Sequence, residues 1–422
     1  MAVSRTDEER LEAAFQSSLL EAIAHRRTRR FGLGYELPSG ALKYKSEKEP
    51  VPLSELETAL LCWAGHGVNG VILADYQTNL GANSTMGWVG KAHPSPCNDV
   101  ARVHLVFTND EGVFVYHPTE ASKVVEIETV EDRHKILEFY RQDTYKVAEG
   151  RAEIPSQALM VANVWAANRP GSTCFFPVID LTVEYINYCL LTFQYQGVQI
   201  IDDKTGKPAG VEKWVENGFL KGPKVRLLEQ DTHVRQSTTA QGHYIAQNIS
   251  FAAEAMGLGS FIFGGFSAPA IMGATPFGRG LGFRFTTGQD GLPNPVGIDG
   301  RIEAHCPPYF KDMNSAVDSV IESKFGPGGI LTPEYEGVTP YLDWEGYLEG
   351  LGEFKDETIE CVKDFCTYVY ETYGRFPVYF DTMTVPMWLQ VHHLDIDFYE
   401  KYFPSEVITE AQRNHMAEWH GG

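Results

Sequence analysis

Residues 241–265, QGHYIAQNISFAAEAMGLGSFIFGG, constrain the fold more than any other stretch of this chain. Ile245, Ile249, Ala252, Ala253 and Met256 recur at helical spacing and the run stops at a glycine, which predicts a packed central helix over about 241–258. FIFGG follows with no polar linker, so the helix feeds directly into a buried strand. A second strand signal lies upstream, where RVHLVFT, the turn NDEG and VFVYH alternate apolar and polar residues as a hairpin does.

Helices account for most of the remaining pattern. Thr6 with Glu9 and Ser54 with Glu57 are capping-box pairs, the first opening an amphipathic helix over about 7–27 and the second opening LETALLCWAGHG. Charged helix pattern covers about 130–148, and an acidic helix is expected near 355–373. ALMVANVWAA reads as a strand, whereas LTVEYINYCLLTFQ fits a buried helix at least as well as a strand. A hairpin and isolated strands separated by long helices, without strict βαβ alternation, predict an α+β fold. Its central sheet is expected to be mixed, mostly antiparallel and flanked by helices.

Composition excludes several classes of function. The 422 residues are 43% hydrophobic and 22% charged, enough for one large domain with an appendage or for two domains. Fifty-six acidic against 35 basic residues give a formal charge of -21, which opposes general binding to nucleic acid. No run of about 18 apolar residues is present to span a bilayer, and the N-terminus is charged, so a cytoplasmic protein is expected. Seven cysteines without a CxxC pair read as reduced thiols.

Against that acidic background, Arg26, Arg27, Arg29 and Arg30 crowd around Thr28 at the end of the first helix. One or two cations would complement a helix dipole; four in five positions repel one another and call for an anion. Guanidinium forks and a threonine hydroxyl suit a phosphate monoester. In HPSPCND, the prolines stiffen the backbone and Ser95 and Asn98 offer polar side chains, although such a stretch is also an ordinary turn. Gly264 and Gly265 would let a backbone N–H approach a flat ring, although glycine pairs also serve tight packing.

Taken in order, these pieces resemble the nitroreductase family. Arg26-Arg27-Thr28-Arg29-Arg30 matches its Arg-x-Ser/Thr-x-Arg/Lys pattern. Pro94, Ser95, Pro96, Cys97 and Asn98 match its Pro-Ser-x-x-Asn loop before a hairpin. Ala252, Ala253, Gly257, Leu258, Gly259, Ser260, Gly264 and Gly265 match its Ala-Ala-x-x-x-Gly-Leu-Gly-Ser helix and glycine-pair strand. The proline-serine loop and hairpin are locally similar to the branch that dehydrogenates azoline and thiazoline rings in peptides. The resemblance covers about 7–117 and 240–300, and implies FMN held without a covalent bond in a homodimer.

On that resemblance Arg26, Arg27, Thr28 and Arg30 would lie near the FMN phosphate, with Arg29 between motif positions and milder in its effect when replaced. Pro94, Ser95, Cys97 and Asn98 would lie near the ring, and Gly264 and Gly265 near N5. The family's chemistry shuttles hydride between NAD(P)H or an organic substrate, small molecule or peptide, and an acceptor. A flavin-binding or scaffold protein that keeps the fold without catalysis is the alternative. Residues 1–300 are expected to form the FMN-binding domain, with an insertion within 118–230, and 301–422 a C-terminal extension that caps the pocket. No metal is expected: His392, His393, Asp395 and Asp397 lack HxxxH or HExxH spacing, and His415 and His420 read as solvated.

Overall fold

The structure is a computed structural model that describes residues 6–68, 103–118, 127, 129–274, 276–337, 339 and 341–420. Both capping boxes form. Thr6 opens α1 (Asp7–Gln16) and Ser54 opens α3 (Glu55–His66). The single helix expected over 7–27 is broken, because Ser17 turns extended and the Ser18 hydroxyl accepts the Glu21 N–H to start α2 (Leu19–His25).

Strands β1 (Val103–Asn109) and β2 (Gly112–Tyr116) make the expected hairpin. Helix α4 (Lys135–Asp143) then gives way at Thr144 to β3 (Thr144–Glu149), where helix pattern had been read to 148. Tyr145 pairs with Val115 and Thr144 with Tyr116, so the ladder hydrogen bonds of β2 override local helical pattern there. ALMVANVWAA is not a strand: 3-10 turns occupy Ser156–Ala158 and Val161–Asn163, and Leu159 makes only an isolated bridge to Phe266.

Strand β4 (Thr173–Asp180) is buried throughout and precedes α5 (Thr182–Gln196), the helical outcome for LTVEYINYCLLTFQ. Helix α6 (Leu227–Ala255) runs 29 residues, starting well before 241. Its first half buries mostly polar side chains, Gln230, Asp231, Thr238 and Gln241, with only Leu227 and Val234 apolar among the larger ones, so hydrophobic spacing does not report it. Gly257, at φ +76°, ends the helix, and the Leu258 N–H returns to the Ala253 carbonyl. Strand β5 (Gly259–Phe263) follows at once. Beyond it come α7 (Met313–Phe325), α8 (Asp356–Tyr373), β6 (Trp388–His392), α9 (Ile396–Tyr402) and α10 (Glu410–His420).

The central sheet has the order β3-β2-β1-β4-β6-β5, with Met383–Thr384 also pairing to β4, and every one of its ladders is antiparallel. A parallel ladder exists only outside it among the described residues, between 199–201 and 224–226. Alternate residues of β1 and β4 serve the two faces. Leu105, Phe107, Phe175 and Ile179 pack with α3 and with Ile245, Ile249 and Ala253 of α6. Val106, Cys174, Phe176 and Val178 pack with α5, α7 and α8. The protein is thus α+β, an antiparallel sheet covered by helices on both faces, which explains why TCFFPVID is apolar almost without interruption. α3 lies so close to α6 that a Cβ at Gly65 would stand 2.6 Å from Ile249 Cγ1.

β6 lies between β4 and β5, so the sheet is built from both sides of the boundary expected at residue 300. The segment after it contributes a central strand and much of one core face. No helix of the described residues is long and apolar enough to cross a membrane.

Candidate functional site

α2 ends at Arg26, whose backbone is already extended, and the following segment crosses the end of α6 before pairing at Gly32 with Leu394. This path splits the arginine cluster. Arg26 Nε donates 2.7 Å to Ser250 Oγ on α6, and Ser250 Oγ stands 3.5 Å from Ser260 Oγ on β5. The exposed Arg30 guanidinium lies 5.6 Å from the ring centroid of Phe261, also on β5. Arg26 and Arg30 therefore each reach the first half of one strand, through adjacent residues whose side chains face opposite sides of the sheet.

Arg29 is the exception that sequence spacing conceals. Only 1% exposed, its Nη1 donates to both oxygens of Glu254, at 3.2 and 2.9 Å. Its Nε and Nη2 donate to the Val407 carbonyl, at 2.9 and 2.7 Å. Burial lowers the Arg29 pKa and raises that of Glu254, and each charge partly offsets the other's desolvation. The anion that the four arginines called for is, for Arg29, a carboxylate of this chain. Replacing Arg29 therefore acts on folding, whereas the expectation of a mild effect at this position concerned FMN affinity alone.

Arg27 is separated from the pair at β5. It donates to the carbonyls of Ala24 and Arg26 and lines a cleft of about 770 Å³ with Glu21, Glu254, Glu406 and Glu410. Glu254 is already paired with Arg29, and the other three carboxylates of the cleft disfavour a phosphate there. Thr28 is exposed between the two sides.

The other end of β5 carries the glycine pair. A Cβ at Gly264 would meet nothing within 4 Å, so its backbone borders open space. Gly265 is covered: its carbonyl accepts the Met160 N–H at 3.0 Å, and a Cβ there would touch Met160 Cε. Beside them Met160 and Val161 are 56% and 86% exposed, and Leu159, Val164 and Trp165 line a cleft of about 510 Å³. Trp165 is stacked on Phe31 at 6.2 Å, so this apolar shelf is fixed to the segment that carries Arg30. β5 spaces Phe261 and Gly264 by about 10 Å at the usual rise of an extended strand.

Pro94, Ser95, Cys97 and Asn98 lie outside the described residues. Sequence reasoning missed Ser250, Phe261, Met160 and Trp165, which join the site through contacts 10 to more than 200 residues apart and leave no local signal. His392, at the end of β6, is buried 5.9 Å from Phe261, and desolvation holds its pKa down to about 3. It is neutral at physiological pH. Asp395 caps α9 and the Asp397 carboxylate pairs with Lys48, so His392, His393, Asp395 and Asp397 do not converge. The chain matches no protein-family model and no curated relative.

Proposed function

We propose that the protein is an FMN-dependent oxidoreductase of the nitroreductase type, passing hydride between NAD(P)H or an organic substrate and an acceptor. The observation that carries this reading is the strip along β5, basic at its start through Arg26 and Arg30 and open at its end over Gly264. Two guanidinium groups suit the phosphate end of a flavin nucleotide, and an open glycine beside an apolar shelf suits its ring end. FMN, when bound, supplies reversible hydride transfer at its N5.

The roles of the chain's own residues follow. Arg26, oriented by Ser250, and Arg30, held over Phe261, would neutralise the phosphate. Gly264 would offer backbone close to the ring, and Met160, Val161 and Trp165 would exclude water from one side. Leu19, Leu20 and Ile23 leave α2 with an apolar surface, 59%, 76% and 49% exposed, which supports a homodimer.

Visible absorbance of the purified protein, followed by anaerobic NADPH or NADH titration, tests the reading. A yellow protein bleached by either nucleotide supports a reductase, and one bleached only by an organic substrate supports a dehydrogenase. A colourless protein that cannot be reconstituted with FMN overturns both and leaves a scaffold. Arg30→Glu should weaken FMN about tenfold to a hundredfold, the effect of losing one charge-assisted contact. Arg27→Glu, facing the acidic cleft, should change it little. Equal FMN affinity in Arg30→Glu and the parent protein would show that the strip does not hold the phosphate.

A further inference from the structure

Glu57 of α3, His393 just after β6 and His415 of α10 meet in the interior, His415 among them although it read as solvated. His415 Nε2 lies 2.9 Å from Glu57 Oε1 and 3.3 Å from His393 Nδ1. Glu57 Oε2 accepts the Ser54 N–H at 2.6 Å and lies 3.6 Å from His393 Nε2, while Oε1 faces His415 Nε2.

A carboxylate oxygen and a second imidazole nitrogen thus crowd one ring nitrogen of His415. A single proton on Nε2 can bridge to only one of them. A cation placed among the three would accept a lone pair from each. Metal–nitrogen and metal–oxygen bonds of about 2.0–2.2 Å in a tetrahedral shell set neighbouring donors about 3.4 Å apart. The 3.3 Å separation matches that spacing closely, and the 2.9 Å separation is shorter than it by about half an ångström. Two imidazoles with one carboxylate select zinc-like ions over calcium and magnesium, which take oxygen ligands, and over soft ions, which take thiolates.

We propose that Glu57, His393 and His415 bind one zinc-class divalent cation, which fastens α10 and the segment after β6 to α3. Its position gives it a reach beyond those three residues. The His393 carbonyl accepts the Leu33 N–H at 3.1 Å, and Leu394 pairs with Gly32, just beyond Arg30. On α10, Gln412 donates to Glu254, the partner of Arg29. Loading the ion stiffens the frame behind the arginine segment while touching no residue of the β5 strip.

Elemental analysis of the full chain, stripped with a chelator and then dialysed against zinc, should find about one ion per chain. Cobalt(II) should give the visible bands of a tetrahedral nitrogen and oxygen site, and zinc should bleach them. His415→Ala and Glu57→Gln, which keeps the side-chain shape, should each weaken cobalt at least tenfold to a hundredfold with helical circular dichroism retained. Failure of the parent protein to take up either metal overturns the proposal, as does unchanged cobalt affinity in both variants. Should neither variant fold, X-ray absorption of the cobalt-loaded parent protein decides. Two imidazole scatterers sustain the site, and fewer than two refute it.

Discussion

Removing Arg29 tests the account of the arginine segment most severely. The side chain makes five hydrogen bonds, two to Glu254, two to the Val407 carbonyl and one to the His25 carbonyl at 3.3 Å. Arg29→Met fills much of the volume but strands a buried carboxylate, left with Gln412 at 3.3 Å and the Arg27 backbone N–H. Breaking a buried ion pair from one side costs about 3–5 kcal/mol, more than the ~1–3 kcal/mol of an unsatisfied carbonyl. The stranded charge is therefore the larger effect. Replacing both partners, Arg29→Met with Glu254→Leu, should recover the stranded-charge part of the loss and leave about 1–3 kcal/mol for each of the two carbonyls.

The pH dependence carries a definite sign. Burial already holds Glu254 above its ordinary value, and losing Arg29 raises it further. A carboxyl raised in the folded state binds protons more tightly there than in the unfolded chain. It therefore withdraws stability as pH rises from the ordinary carboxylate value through the folded one. Urea denaturation should show the deficit of Arg29→Met shrinking from pH 8 to pH 5. A loss below about 1 kcal/mol at pH 8, or a double variant no more stable than the single one, would refute the reasoning.

Two further outcomes follow from the same geometry. Gly264→Val should change stability by no more than about 0.5 kcal/mol, since the added carbon meets open space, yet lower FMN affinity more than about tenfold. Calorimetric titration with FMN checks it, and undiminished binding would remove Gly264 from the site. His392 is held neutral down to about pH 3 while its unfolded counterpart titrates near 6.5. Its contribution is complete above about pH 6.5 and is lost as pH falls from there toward 3, so His392→Gln should flatten the acid side of the stability curve. Parallel curves for the two proteins would contradict this.

Elements whose cause is local could be read directly. The capping boxes at Thr6 and Ser54, the turn between β1 and β2, and the glycine that ends α6 each depend on residues within a few positions of one another. The α+β class followed from them. Elements set by a distant partner could not be read in this way. β3 is a strand because β2 offers it a ladder, and the first half of α6 hides amides and a carboxylate that make no apolar stripe.

The same division runs through the site. Crowding of four arginines showed that an anion must be near, because like charges repel at any tertiary geometry. Which arginine meets which anion was decided by the fold. Glu254 lies 225 residues from Arg29 and claims it from the interior, while Arg26 and Arg30 reach β5 and Arg27 turns to an acidic cleft. Glu57, His393 and His415 have no spacing that would relate them; only the closure of α10 against α3 places their donor atoms together. Sequence determines what depends on neighbours along the chain, and the tertiary structure decides which of several equivalent charges is buried, because desolvation depends on surroundings that no local pattern contains.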